Sequence, residues 1–263
     1  TDMSQPTVAR SPRIHFLDEV RGFDILLMVL FHGFYTVGWL LDLSIGRTLF
    51  LFFMPVEPFF AGIFIFICGI SCYLSHSNWR RGALLALIAV GISLVMYVFM
   101  RDQMIWFGIL HMLAVCILLF ALLRPLLEKI PFWVGVVACI VLFTLTYPIP
   151  NYGDGLQHGV FGIRGLFTVA LPESVTQNVW LYPLGFGRAP SPASDYFPVF
   201  PWLFCFLCGS FIGRLAKQQR FPQWMYRSHV PFFSWCGKHT LAIYILHQPI
   251  IYGVGLLLQM VLQ

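Results

Sequence analysis

The chain has 263 residues, of which 59% are hydrophobic and 10% are charged, and it carries a formal net charge of +5. Soluble domains carry about 25% charged residues, so this composition excludes a soluble globular protein and predicts a multi-pass membrane protein. The mean hydropathy of +0.79 agrees with that prediction. The basic residues are dispersed over short loops, so we expect no binding of nucleic acid.

Seven apolar stretches are about as long as a membrane-crossing helix, which needs ~20 residues. Of the 16 basic residues, twelve fall in one set of loops and four in the other, and the richer side is assigned to the cytoplasm. The predicted fold is an all-α integral membrane protein, a single bundle of about seven transmembrane helices with a cytoplasmic N-terminus and an extracytoplasmic C-terminus. The predicted spans are 17–40, 50–75, 83–100, 104–123, 131–148, 196–214 and 239–261.

The spans leave no room for a separate soluble domain, so residues 1–263 are predicted to form one transmembrane domain. Residues 101–103 are expected to join the third and fourth spans in a tight turn. Residues 149–195 are predicted to be an extracytoplasmic loop, and the aromatic residues in it favour packing at the membrane surface over disorder. Residues 215–238 mix basic and aromatic side chains, which is typical of a cytoplasmic interfacial segment.

The first span carries ionisable residues on one face. Arg21 and His32 are eleven positions apart, which is about three helical turns and roughly 16 Å along the axis. Asp18, Asp24 and Tyr35 fall within the same stripe. Ionisable groups within a membrane helix normally face a protein interior or a water-filled cavity, so this face is predicted to be the functional one.

The remaining candidate residues lie at two depths of the predicted bundle. A purely structural role remains open for each of them. The histidines would be hydrogen-bonded core residues, Arg21 would anchor the helix at the membrane boundary, and Asp195 would cap a helix. Arg80 and Arg81 would only set the topology. The outer group is His32, Glu57, His111 and Asp195; the cytoplasmic group is Arg21, Arg80, Arg81 and Lys238; and His247 lies near the middle of the last span.

Five segments occur in the order in which a known family carries them: FLDEVRGFDILLMVLFH, PFFAGIFIFICGIS, WFGILHMLAVCILL, DYFPVFPWLFCFLCG and GKHTLAIYILHQPII. Together they resemble the heparan-α-glucosaminide N-acetyltransferase catalytic-domain family, a branch of the transmembrane acyltransferases. The lysosomal enzyme of that family carries its catalytic histidine in the loop after the first core helix, whereas residues 41–56 contain no histidine here. The R-x10-H spacing of Arg21 and His32 is similar to that of membrane enzymes that O-acetylate bacterial surface sugars.

The resemblance implies a multi-pass enzyme of the bacterial cytoplasmic membrane. It would move an acetyl group from cytoplasmic acetyl-CoA, its donor co-substrate, to the hydroxyl or amine of an extracytoplasmic sugar or glycan. The lipid bilayer is the other expected partner; a homodimer is left open, and no metal is expected. A transporter of a polar or anionic solute and a non-catalytic membrane subunit are the alternative functions.

Residue roles follow from the resemblance and from the predicted depths. His32 is the expected general base, and a covalent acetyl-histidine is the open alternative. The expected catalytic residues are His32, Asp195 and Glu57; the donor-binding residues are Arg21, Arg80, Arg81 and Lys238; and the acceptor-binding residues are Tyr35, His111 and His247.

Overall fold

A computed structural model describes residues 13–99, 101, 104–152, 156–188 and 195–262, without the side chains of the last two. It divides into two compact units: Thr1–Phe64 with Leu215–Gln263, here called the terminal unit, and Ile65–Arg214, here called the central unit. The prediction of one domain stays a prediction. Residues 102–103 of the predicted turn, and residues 153–155 and 189–194 of the predicted loop, lie outside the described residues.

The described residues form ten α-helices, a two-stranded β-hairpin and short 3-10 turns. The bounds are α1 His15–Trp39, α2 Ser44–Phe53, α3 Glu57–Leu74, α4 Asn78–Phe99, α5 Ile109–Leu127, α6 Phe132–Thr146, β1 Val160–Ile163, β2 Phe167–Ala170, α7 Glu173–Thr176, α8 Val199–Lys217, α9 Pro231–Lys238 and α10 Thr240–Leu262. The longer 3-10 turns span Val179–Leu184 and Gln223–Tyr226.

Helices make up 73% of the structure, and this confirms the predicted class of all-α membrane protein. Within the described residues, six helices are long and apolar enough to cross a membrane: α1, α3, α4, α5, α8 and α10. The fifth predicted span is α6, which has 15 residues and is about 22 Å long. A hydrocarbon core is ~30 Å thick, so the count of seven spans stays a prediction.

The second predicted span is divided in the structure. The prediction of one helix over 50–75 and a loop over 41–56 is wrong, because α2 occupies Ser44–Phe53 and α3 begins at Glu57. The hydropathy of the sequence does not reveal this division, because the apolar residues at the end of α2 lead directly into α3. Pro55 and Pro58 flank the new start, and proline disfavours helical geometry in the residue before it.

The 149–195 region is more ordered than a plain loop. Its β-hairpin pairs β1 and β2 antiparallel, with Val160 opposite Ala170. A series of ring contacts then runs from α6 through the loop to the residues before α8, at centroid separations of 4.3–6.2 Å. The rings belong, in order, to Phe143, Tyr147, Tyr152, Tyr196 and Tyr182. These contacts anchor the region within the central unit.

In the terminal unit, α1 and α9 pack at backbone distance. A Cβ at Gly22 would overlap the Phe233 carbonyl, and one at Gly237 would overlap the Asp18 carbonyl. Small residues allow this close approach between helices. The predicted interfacial segment 215–238 therefore contains a helix packed on α1, and its outward-facing residues Phe232 and Trp235 remain exposed.

Helix α10 runs parallel to α1 in the same unit. His32 of α1 lies beside His247 of α10, and farther along both helices Thr36 and Leu40 lie against Gly255. Residue numbers therefore increase in the same direction along both helices. Helix α2 runs antiparallel to α1, because Phe31 stacks on Phe50 while Gly38 contacts Gly46.

Candidate functional site

The centre of the terminal unit holds two adjacent imidazoles. The ring centroids of His32 and His247 are 5.1 Å apart and the ring planes are tilted by 50°. His247 is 7% exposed and His32 is partly buried. The sequence placed both residues in the membrane interior but gave no indication that they meet, because they belong to helices at opposite ends of the chain.

The hydrogen bond of His247 defines its tautomer. Its Nδ1 lies 2.5 Å from the Tyr244 carbonyl oxygen. A carbonyl can only accept, so Nδ1 carries the proton and Nε2 of the neutral ring keeps a lone pair. That Nε2 is buried and has no hydrogen-bond partner among the residues that the structure describes. The arrangement leaves Nε2 of His247 as a buried proton acceptor in the terminal unit.

Aromatic residues surround this level of α1. Phe31 stacks on Phe50 with centroids 4.5 Å apart, and Phe34 stacks on Phe53 at 5.7 Å. The end of α2 therefore lies at the level of His32, and Glu57 starts α3 after only three intervening residues. An acidic residue in the first turn of a helix is favoured by the helix dipole, so Glu57 has a local stabilising role as well as its predicted catalytic one.

Tyr35 lies one turn beyond His32 on α1. Its ring stacks on Trp39 at 4.9 Å and contacts Phe50 at 5.6 Å. It therefore forms part of the aromatic surroundings of the imidazole pair, which is compatible with its predicted role toward an acceptor.

The first turns of α1 carry a cluster of charges. Arg13 Nε donates to Asp18 Oδ2 at 2.6 Å, and Arg21 Nη1 lies 3.6 Å from Asp18 Oδ1. Lys238 follows Gly237, which contacts the Asp18 backbone. The backbone at Lys238 therefore lies close to Asp18, whose carboxylate offsets part of the charge of Arg21.

Asp24 lies within α1 and is 4% exposed. Its Oδ2 has no hydrogen-bond partner within the described part of the chain. A carboxylate in this setting normally faces a polar partner or a water-filled space. Asp24 therefore continues the polar stripe that the sequence predicted between Arg21 and His32.

Sequence reasoning missed Glu19. Its Oε1 accepts hydrogen bonds from Ser228 Oγ, His229 N and Val230 N at 2.9, 2.7 and 3.0 Å. These bonds tie α1 to the segment that leads into α9. Glu19 lies off the stripe that contains Arg21 and His32, and its partners lie near the other end of the sequence, so no local pattern indicated it.

In the central unit, His111 caps helix α5. Its Nδ1 accepts from Gly108 N at 3.3 Å, so its Nε2 carries the proton and lies 3.3 Å from Ser93 Oγ. Ser93 Oγ in turn donates to the Ile105 carbonyl at 2.7 Å. Both ring nitrogens are engaged, and the predicted acceptor-binding role of His111 stays a prediction.

Asp195 lies near the same helix terminus. A Cβ at Gly108 would stand 2.5 Å from Asp195 Oδ2, and Gly108 is the N-cap of α5. Helix α8 begins only at Val199, so Asp195 does not cap α8. Burial, and then the nearby Asp195 carboxylate, raise the pKa of Tyr182. The carboxylate thus lies between a helix N-terminus and a buried phenol.

The other predicted donor-binding residues, Arg80 and Arg81, are exposed in the first turn of α4. Exposed guanidinium groups are well suited to bind phosphate. They belong to the central unit, whereas Arg21 and Lys238 belong to the terminal unit. Among the described residues, no group of three or more His, Cys, Asp or Glu side chains could hold a metal ion.

Comparison with known proteins identifies the family. The pattern of the heparan-alpha-glucosaminide N-acetyltransferase catalytic family matches residues 13–249. The match covers most of the chain, so the chain belongs to this family, as its sequence resemblance indicated. No curated protein and no solved structure matches the chain. The chain is therefore a multi-pass α-helical membrane protein of an acetyltransferase family.

Proposed function

We propose that the protein transfers an acetyl group from cytoplasmic acetyl-CoA to the hydroxyl or amine of an extracytoplasmic sugar. Membership of a family named for N-acetyl transfer to a glucosaminide supports the reaction class. The observation that carries the proposal is the pairing of His32 with His247 between α1 and α10. Acetyl transfer across the bilayer needs a base within the membrane protein. The two neutral imidazoles provide such bases.

His32 is the proposed general base. It takes the proton of the acceptor hydroxyl or amine while the acceptor attacks the thioester carbonyl. The new C–O or C–N bond forms, the C–S bond breaks, and the CoA thiolate recovers the proton from the imidazolium. If the acetyl group instead rests on His32 as a covalent intermediate, an acetylated His32 would accumulate when the acceptor is withheld.

The cations near Asp18 are proposed to bind the phosphates of CoA. Arg13 and Arg21 contact Asp18, and Lys238 is exposed nearby. Arginine pairs well with phosphate because it offers two parallel N–H donors. Arg80 and Arg81 are proposed as donor-binding residues as well. Glu57 is proposed to orient His32 or the acceptor, and Tyr35, His111 and Asp195 are proposed to bind the acceptor.

We also propose seven membrane crossings, in the bacterial cytoplasmic membrane, with the N-terminus inside. The parallel direction of α1 and α10 supports an odd total, because crossings alternate in direction. Six long helices alone would make α1 and α10 antiparallel, so one shorter helix must also cross. Helix α6 is the candidate, since it coincides with the predicted span 131–148. Labelling of single cysteines at positions 5 and 263 from the same side of the membrane would contradict this topology.

The activity is tested with the purified chain in liposomes that contain acetyl-CoA. We expect release of free CoA thiol that depends on an external sugar, measured with a thiol reagent against methyl α-glucosaminide and a panel of neutral hexoses. His32→Ala, reconstituted in equal amount, is the control and should release none. If the wild-type protein releases no CoA with any acceptor but moves an anionic solute across the bilayer, the protein is a transporter.

A further inference from the structure

The hydrogen bond from His247 to Tyr244 uses only one of the two ring nitrogens of His247. The Nδ1–H donates to the Tyr244 carbonyl at 2.5 Å, while Nε2 is buried without a hydrogen-bond partner among the described residues. The side chain is more than nine-tenths buried, with 7% exposure. Buried polar atoms of native proteins are normally paired, so Nε2 calls for a specific donor.

The adjacent group that can supply such a donor is His32. Its ring centroid lies 5.1 Å from that of His247. His32 makes no hydrogen bond to the described residues in this structure, so its ring can turn about its side-chain torsions without breaking one. A turn that directs one N–H of His32 at Nε2 of His247 would satisfy both rings.

We infer that His247 is the positioning residue of His32. Its Nε2 accepts the N–H of one His32 nitrogen, and the other His32 nitrogen is then held as the lone-pair base that faces the acceptor. The series runs from the Tyr244 carbonyl to His247, to His32 and to the acceptor. This inference rests on the proposed acetyl transfer for its catalytic meaning, but the hydrogen-bond series itself does not.

The proton balance of the step is simple. The acceptor proton moves to the free nitrogen of His32 as the acetyl carbon gains its new bond, and the CoA sulfur leaves with the C–S electron pair. The thiolate then takes that proton from His32. His247 keeps its own proton on Nδ1 throughout and accepts a stronger hydrogen bond while His32 is positively charged.

A neutral orienting group suits this location. In soluble enzymes a buried carboxylate often orients the catalytic histidine. Within a membrane helix a permanent charge is costly, whereas an imidazole with a fixed tautomer accepts the same hydrogen bond without a charge. The backbone carbonyl of Tyr244, on the same helix, fixes that tautomer.

The direct test is nitrogen-15 NMR of the histidine-labelled protein in lipid nanodiscs at neutral pH. Signals are assigned by comparison with His32→Gln and His247→Gln. We expect His247 to carry its proton on Nδ1 only, and His32 to show a single tautomer. A proton on Nε2 of His247 would overturn the inference, and this measurement needs no enzymatic turnover.

Two substitutions separate positioning from a purely structural role. His247→Asn can keep a donor to the Tyr244 carbonyl but loses the Nε2 acceptor, whereas His247→Gln can place its amide oxygen where Nε2 lies. We expect His247→Asn to mix the tautomers of His32 and to lower turnover about 10²-fold, a part of what a general base contributes. His247→Gln should retain at least tenfold more activity than His247→Asn, which is within the range of one catalytic group.

The outcomes separate this inference from the proposed function. If wild-type protein consumes no acetyl-CoA, the proposed function fails, and the NMR result still decides the hydrogen-bond series. If wild-type protein is active and His247→Asn leaves both turnover and the His32 tautomer unchanged, only the positioning role fails. His247→Asn can replace His247→Gln, and His32→Ala can replace His32→Gln, in assigning the spectrum, so a single variant that does not fold leaves the inference falsifiable.

Discussion

Two histidine sites in this protein differ in how many ring nitrogens are hydrogen-bonded. In the central unit, His111 uses both nitrogens, one toward Gly108 N and one beside Ser93 Oγ. In the terminal unit, His247 uses one nitrogen, and the other lies buried near His32 without a partner among the described residues. A fully bonded imidazole contributes to a helix cap, whereas a half-bonded one keeps a lone pair for chemistry.

This comparison separates residues that the sequence could not distinguish. His32, His111 and His247 are all histidines in apolar helices, and depth alone assigned two of them to the outer leaflet. The hydrogen bonds now rank them: the pair in the terminal unit is the better candidate for proton transfer, and His111 is the better candidate for stability. Substitutions at both sites can test this ranking.

The largest effect is expected at His32. A general base contributes about 10²–10⁴-fold in rate, so His32→Ala should lower sugar-dependent CoA release by at least about 10²-fold. Detergent-solubilised protein should still bind acetyl-CoA, measured by calorimetry, with affinity near that of the wild type. If the variant keeps more than about a tenth of wild-type turnover, His32 is not the base.

A smaller loss is expected at Asp195, which lies beside Gly108 and Tyr182. Asp195→Asn keeps the size of the side chain and removes its charge. If the carboxylate orients the acceptor, turnover should fall about tenfold, the free-energy cost of one charged hydrogen bond, while acetyl-CoA binding is retained. Glu173→Gln, at an exposed position of α7, is the matched control and should leave turnover unchanged. Equal rates for both variants would remove Asp195 from the site.

A change in donor affinity is expected from the double variant Arg80→Ala/Arg81→Ala. Exposed cations act on phosphate through a screened field, so the KM for acetyl-CoA should rise a few-fold and depend less on salt. Arg220→Ala, another exposed cation, serves as the control. An unchanged KM together with altered cysteine labelling would mean that Arg80 and Arg81 only orient the chain.

The smallest effect on turnover is expected at His111. His111→Ala removes the acceptor of Gly108 N and the neighbour of Ser93 Oγ, so the free energy of unfolding should fall by about 1–3 kcal/mol. Turnover of the folded fraction should stay within a few-fold of wild type. Thermal unfolding and kinetics of the same preparation measure both. A raised acceptor KM with unchanged stability would instead support the predicted acceptor-binding role of His111.

The sequence predicted the helices better than their boundaries. The apolar lengths gave the class of fold, and helical geometry placed Asp24 and His32 on one face of α1. The division between α2 and α3 was missed because Ser44–Phe53 continues the apolar run of the next helix, and only Pro55 and Pro58 indicate the change. The hairpin of β1 and β2 was missed because two four-residue strands carry little periodicity.

The site was less predictable than the fold, for a physical reason. Local spacing can place two residues on one face of one helix, as for Arg21 and His32. It cannot show that α10 runs beside α1, so the His32–His247 pair and the bonds of Glu19 to residues 228–230 appear only with the structure. Those contacts depend on which glycines permit close helix packing, such as Gly22 and Gly237.

The contact between Gly22 and α9 also sets an order of events during synthesis. Helix α1 is translated well before its partners α9 and α10, with Asp18, Glu19 and Asp24 on its surface. At ~5–20 residues per second, α1 waits roughly 10–40 s for them. During that interval its acidic residues need water, lipid headgroups or a chaperone, and the imidazole pair does not yet exist. In the proposed mechanism, the nascent chain therefore has no oriented base until α10 has joined α1.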